Sequence, residues 1–242
     1  MTAGEEIAKR LKNDPHWRVV IHPTTFDAER IPSLGDCRNI VAESQVTLRG
    51  WGYPHLDESH RETGSDWVAG WSEVEGRVEY WRFFQSGQFV HLLSFHEDGY
   101  LQRNPSRYAC ALGDAPSGFE PNGFLEVSRV LLQTTEIFQF ADRLARNLPS
   151  ADLFTVSIEL TNVLNRVLTE SDITRHWYGF HPATASRYSR ERTWNRIDLL
   201  TRSAEFGLDA ATWIYDCFGW SDPPRRALAD LQQRFLDRRF SA

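Results

Sequence analysis

The sequence predicts an α+β fold in which an antiparallel sheet, a meander, packs with a long central helix and two C-terminal helices. Three observations predict it. A dense β region over residues 66–96 is interrupted by short polar turns. Apolar residues recur at helical spacing over 125–147. A Ser-Asp-Pro-Pro helix start signal at 221–224 precedes a last apolar stripe.

The N-terminal elements are short. Residues 4–13 are predicted as a helix that an Asp-Pro pair ends, and 16–22 as a strand. Residues 23–35 hold two prolines and a glycine, which predicts a loop. Residues 39–50 are predicted as a strand, because their valines and leucine are β formers without evident helical spacing.

The β region is predicted as three antiparallel strands at about 66–74, 77–85 and 88–96, with the last two joined around Ser86-Gly87. Val74, Val78 and Tyr80 alternate with charged residues, which predicts one solvent-exposed face. The charged residues assigned to that face are Glu73, Glu75, Arg77 and Glu79.

The second half begins with a predicted loop at 102–123, followed by the long helix. A strand at 154–160 is predicted to pair with a second strand at about 193–202, and two helices close the chain.

The whole chain, 1–242, is predicted to form a single α+β domain. The loop at 102–123 is the one plausible boundary, and it would divide the chain into 1–110 and 111–242.

Composition excludes several classes of protein. The net charge of -6 and the pI of about 5.8 argue against a chain that binds nucleic acid on its own. No apolar run reaches the ~18 residues of a membrane span, and the N-terminus lacks a secretion signal, so we expect a cytoplasmic protein. Lys9 and Lys12 are the only lysines, and neither follows a glycine-rich turn, which excludes a Walker A loop.

The segment Leu48–Asp57, LRGWGYPHLD, is the strongest candidate for a functional loop. Its glycines permit a sharp exit from a strand, and Pro54 stiffens the turn. We expect Trp51 to fold back over the sheet edge, and Tyr53 and His55 to reach solvent or a partner. The predicted partner or ligand surface consists of Arg49, Trp51, Tyr53, His55 and Asp57.

A metal site is the alternative interpretation of the same loop. His55 and His60 flank Asp57, and these three residues, with His91 as a further ligand, could serve a hydrolase or nuclease. The helical zinc pattern places its histidines four residues apart on one face, so a spacing of five in a loop does not match it. The sequence also lacks the nucleophile elbow of acyl-transfer enzymes.

Three patches resemble a known protein context. LRGWGYPH, WRFFQSGQFVHLL and TEIFQFADRLA occur in this order over about residues 45–165. They resemble the region downstream of the AlbA-type domain of Schlafen-like bacterial proteins, which include ATP-binding and transcriptional-regulator types. The AlbA-type domain itself is absent, so no catalytic residue is carried over. The resemblance implies an accessory region of a bacterial defence or regulatory system.

The sequence therefore favours a non-catalytic binding or sensor module that recognises a protein partner or a small ligand and needs no cofactor. The metal-dependent hydrolase or nuclease is the alternative. Stoichiometric zinc or manganese in the purified protein would favour that alternative. The oligomeric state stays open at this point.

Overall fold

A computed structural model describes residues 2–74, 76–101, 108, 111–170 and 179–238 of the chain. It confirms the α+β class, with a seven-stranded antiparallel sheet, a long central helix and two C-terminal helices. No helix within these ranges is both long and apolar enough to cross a membrane.

The helices in the described ranges are α1 (Ala3–Asn13), α2 (Leu34–Ser44), α3 (His96–Leu101), α4 (Val127–Asn147), α5 (Arg196–Cys217) and α6 (Arg225–Leu236). The strands are β1 (His16–Pro23), β2 (Val46–Thr47), β3 (Gly52–Tyr53), β4 (Arg61–Thr63), β5 (Trp67–Val74), β6 (Arg77–Phe84), β7 (Phe89–Ser94), β8 (Phe124–Glu126), β9 (Leu153–Thr161), β10 (Val167–Thr169), β11 (His181–Pro182) and β12 (Arg187–Asn195).

The main sheet has the strand order β12-β9-β1-β7-β6-β5-β4. Side chains alternate between its two faces. The inner face of β1 presents Trp17, Val19 and Ile21 to a core that α4 and α5 complete. On the outer face, α1 places Leu11 against Tyr80 and Leu92. The two faces are therefore covered by different helices.

The predicted meander is confirmed, because β6 and β7 pair as antiparallel strands on either side of the Ser86-Gly87 turn. Gly87 has a φ of 85°, a left-handed conformation that favours glycine at this tight turn. The third strand ends earlier than predicted, since α3 already begins at His96.

The predicted solvent-exposed face of the meander is wrong. A turn at Gly76 separates β5 from β6, so the alternation starts again after it and does not run through 73–80. Glu79 pairs in register with Ser72 on the inner face and is 0% exposed. Glu73 lies opposite Val78 on the outer face. Glu75 lies outside the described residues.

The predicted strand at 39–50 is also wrong, because residues 39–44 belong to α2 and only Val46–Thr47 forms a strand, β2. Ser33 caps this helix by accepting a hydrogen bond from the Asp36 amide at 3.1 Å. Cys37, Val41 and Ser44 are buried at helical spacing. The first of these residues, Cys37, precedes residue 39. The segment 39–50 alone therefore does not show the helical spacing and resembles a strand.

The second half of the chain follows the prediction for the long helix and for the strand at 154–160, but the predicted strand at 193–202 is wrong beyond Asn195. The long helix is confirmed as α4, and β9 takes the place of the predicted strand at 154–160. Its partner is β12, which ends at Asn195, earlier than predicted. The Asn195 side chain caps α5 by accepting from the Asp198 amide at 2.8 Å, so residues 196–201 are helical, and the helix is kinked at Arg202.

Candidate functional site

Arg49 ties the predicted loop to the central helix. Its Nε donates to Glu136 Oε1 at 3.0 Å, and its Nη2 contacts the second oxygen of the same carboxylate. Nη2 also lies 3.4 Å from Gln133 Oε1. Since Glu136 is almost fully buried on α4, this bidentate pair holds the loop against the helix.

Trp51 and His55 stack on each other, with ring centroids 4.1 Å apart. Trp51 Nε1 lies 3.4 Å from Glu79 Oε1, and the Arg77 guanidinium carbon is 5.6 Å from the Trp51 ring centre. The Trp51 ring therefore lies between the loop and the inner face of β6, where it is half-buried and packs over Arg77 and Glu79.

The expectation that the Tyr53 hydroxyl reaches solvent is wrong, since Tyr53 is 1% exposed. Tyr53 pairs in register with buried Val46, and this pairing turns its ring into the core against His91 and Phe140. Its buried hydroxyl has no hydrogen-bond partner among the described residues. The ring of His55 is partly exposed, as expected.

Asp57 lies apart from the other residues of the predicted surface. It accepts hydrogen bonds from the Ser59 hydroxyl and amide and lies 2.7 Å from His60 Nδ1. These contacts, those from Ser59 most strongly, lower the pKa of Asp57 to about 2. No three His, Cys, Asp or Glu side chains in the described part of the chain are placed to share a metal ion.

His91, the further ligand of that alternative, lies in a buried polar cluster on the inner face. Its Nε2 is 2.9 Å from Glu79 Oε2, and Ser72 donates to the other oxygen at 3.1 Å. Burial is the largest single influence and raises the pKa of Glu79. The hydrogen bond and charge of His91, the charge of Arg77 and the Ser72 hydrogen bond together outweigh burial and hold this pKa at about 2.

Three arginines line a pocket between this inner face and the N-terminal part of α4, which we call the arginine recess. Its cavity volume is about 20 Å³, and it is partly open to solvent. Arg49 comes from the loop, Arg77 from the start of β6, and Arg129 from the first turn of α4. The remaining lining residues are Trp17, Leu93, Ser94, His96, Glu97, Leu125, Val130 and Gln133.

Two buried hydrogen-bond donors in the arginine recess lack acceptors. Arg77 Nη2 and Gln133 Nε2 are both buried, and neither has a hydrogen-bond partner among the described residues. Burial lowers the pKa of Arg77, with the charge of Arg49 acting in the same direction. A buried polar group without a partner is uncommon in folded proteins and needs an explanation.

Glu97 is the acidic group of the recess lining. Its Oε1 accepts a hydrogen bond from the Glu126 amide at 2.9 Å. Burial raises the pKa of Glu97 to about 7, and the nearby charge of Glu126 contributes to the rise. Glu126 in turn accepts from Tyr108 at 2.6 Å and lies 3.6 Å from Arg129 Nε. The net charge of the residues that line the recess therefore changes near neutral pH, as Glu97 gains or loses its proton.

The structure thus brings Arg49 and Trp51 to the edge of the recess and leaves Asp57 outside it. Sequence reasoning missed Arg77, Arg129 and Gln133. The available signal was Gln133 inside the apolar pattern of the long helix, one turn after Arg129. Comparison of the chain with family models, curated protein sequences and solved structures gives no match.

Proposed function

We propose that this chain is a non-catalytic binding or sensor module that holds a small oxyanion, a carboxylate or phosphoryl group, in the arginine recess. The observation that carries the proposal is the pair of unpartnered buried donors, Arg77 Nη2 and Gln133 Nε2, in one pocket. Each such donor costs about 1–3 kcal/mol when it lacks an acceptor. A bound oxyanion would supply acceptors to both.

The charges around the recess favour a small, weakly charged group. Glu136 neutralises Arg49 and Glu126 lies beside Arg129, so two of the three guanidinium groups already have a carboxylate. Arg77 forms no salt bridge within the described residues. The planar guanidinium groups suit carboxylate and phosphoryl oxygens.

The position of the donors favours a small ligand over a protein partner. They lie inside a pocket, and Tyr53, the residue expected to project toward a partner, is buried beneath the loop. The resemblance to the region downstream of Schlafen AlbA-type domains supports a role in a bacterial defence or regulatory system, in which such a module would report on a metabolite.

Calorimetric titration with sulfate, phosphate and acetate tests the proposal, with chloride at equal ionic strength as the reference. We expect saturable binding of an oxyanion, and a rise of about 2.7 kcal/mol in unfolding free energy at 100 times the dissociation constant. Arg77→Met should abolish the binding because it removes one of the two unpaired donors together with the arginine charge that has no salt bridge within the described residues.

Arg226→Met is the matched control, since Arg226 is exposed on α6 and does not line the recess. It should bind the same oxyanion as the wild type. The proposal is wrong if no oxyanion binds more tightly than chloride, or if Arg77→Met and Arg226→Met bind equally well.

A further inference from the structure

A second pocket lies on the opposite face of the sheet, between α1 and the outer surfaces of β1, β6 and β7. Its cavity volume is about 490 Å³, against about 20 Å³ for the arginine recess, and it is partly open to solvent. We call it the α1 groove. Small-molecule sites have volumes of about 300–1,000 Å³, so the α1 groove has room for an organic ligand.

The floor of the α1 groove is apolar and aromatic. Tyr80 and Leu92 pair in register, and Phe84 and Val90 continue the same outer face toward the Ser86-Gly87 turn. Phe84 and Val90 stay partly exposed, because α1 covers only the part of the face around Leu11. An apolar surface therefore remains available to a ligand.

The rim of the α1 groove is basic. Lys9 and Lys12, the only lysines of the chain, lie one helical turn apart on α1 and both line the groove, with Arg18 from β1 and Arg82 from β6. Glu5 is the one carboxylate of the lining. The lining therefore carries four positive charges against one negative charge.

Two of these cations have weak or neutral partners. Arg18 lies 3.9 Å from Glu159, at the limit of an ion pair. Arg82 lies 3.9 Å from the centre of the Trp67 ring and donates to the Tyr80 hydroxyl at 2.8 Å. The positive charge of the rim is therefore only partly compensated by contacts of these side chains.

We propose that the α1 groove binds an amphiphilic organic anion, a ligand with an apolar body and a single acidic head group. The apolar body would cover Phe84 and Val90, and the head group would lie between Lys12 and Arg18. Lysine side chains suit this arrangement because their methylene stems pack along apolar surface while the ammonium group stays in water.

Decanoate is the probe, with 1-decanol as its uncharged analogue, both below the concentration at which they aggregate. We measure their displacement of a fluorescent anilinonaphthalene sulfonate from the intact chain, and the methyl NMR shifts of Val90 and Leu92. We expect decanoate to displace the dye at least about tenfold more effectively than 1-decanol. A tenfold difference in affinity corresponds to about 1.4 kcal/mol of binding free energy.

The double variant Lys9→Gln, Lys12→Gln should weaken decanoate binding about tenfold and leave the folded spectrum intact, since both lysines are exposed and glutamine is a good helix former. Arg226→Gln with Arg234→Gln removes two exposed charges from α6 instead, and should bind decanoate as the wild type does. Arg77→Met should also leave this binding unchanged.

Equal displacement by decanoate and 1-decanol would overturn the proposal, as would equal loss of binding in the α1 and α6 double variants. Binding of decanoate that leaves the Val90 and Leu92 methyl shifts unchanged would assign the ligand to another surface and would also overturn it. None of these outcomes depends on whether the arginine recess binds an oxyanion.

Discussion

At the scale of single residues, the inner face of the sheet contains both paired and unpaired buried polar groups. Glu79 shares its carboxylate oxygens between His91 and Ser72, so its burial is compensated. The Tyr53 hydroxyl, at a similar depth, has no partner among the described residues. Removing the polar atoms of Glu79 should therefore lower the free energy of unfolding, whereas removing the hydroxyl of Tyr53 should not.

Tyr53→Phe should leave the unfolding free energy unchanged or raise it by up to about 1 kcal/mol, because it removes a buried hydroxyl that forms no hydrogen bond. Tyr53→Ala should lower it by about 3–5 kcal/mol, as other buried aromatic truncations do. Urea denaturation of both variants measures the difference. A loss of more than about 1 kcal/mol in Tyr53→Phe would show that the hydroxyl is hydrogen-bonded in the folded protein.

Glu97 should make stability depend on pH in an unusual direction for a carboxyl group. Its pKa rises from 4.5 to about 7 on folding, so the folded state holds this proton more tightly than the unfolded chain does. Its favourable contribution is therefore complete below about pH 4.5 and is lost as the pH rises to about 7. At ~1.36 kcal/mol per pKa unit, the loss is at most about 3 kcal/mol.

Glu97→Gln removes this titration and keeps an oxygen that can accept from the Glu126 amide. We expect the variant to gain stability relative to the wild type between pH 5 and pH 8, as measured by urea denaturation at each pH. Sulfate, which does not titrate in this range, should also bind the variant with less pH dependence. A constant difference in stability across the range would contradict this assignment.

At the scale of elements, α4 connects the core with the arginine recess. Its buried residues include Phe138, which contacts the rings of Trp194 and Phe206, while Arg129 and Gln133 near its start line the recess. The same helix therefore fixes the fold through one group of residues and offers hydrogen-bond donors through another.

Phe138→Ala should lower the unfolding free energy by about 3–5 kcal/mol, because Phe138 is 2% exposed and its loss leaves a cavity between α4, β12 and α5. Thermal and urea denaturation measure this loss. The exposed Arg226→Ala on α6 is the control and should stay within about 0.5 kcal/mol of the wild type. A loss of under 1 kcal/mol in Phe138→Ala would show that its burial is misassigned.

The elements with a strong periodic pattern were predictable, and those fixed by neighbouring elements were not. The stripe of α4 and the strands β6 and β7 follow from local sequence. The face on which Glu79 lies depends on the turn at Gly76, and the burial of Tyr53 depends on its pairing with Val46. The recess depends on two contacts between segments that are distant in the sequence. Arg49 of the loop contacts Glu136, and β6 packs near α4, and no local sequence pattern predicts either contact.

At the scale of the whole molecule, the central position of β1 joins the two halves of the chain. Along its length β1 pairs with β7 on one side and with β9 on the other. Two of the helices that cover the inner face, α4 and α5, follow residue 111, whereas the face that they cover includes β1, β6 and β7. Each half therefore exposes apolar surface that the other half buries.

Fragments comprising residues 1–110 and 111–242 should consequently fail to fold alone, because the first lacks α4 and α5 over its inner face and the second lacks the strand beside β9. Each fragment alone should show no cooperative thermal transition, and the two mixed in equal amounts should recover one. Circular dichroism and tryptophan fluorescence of the intact chain should report one coincident transition. A cooperative transition in either isolated fragment would mean that the chain contains two domains, divided near the loop at 102–123.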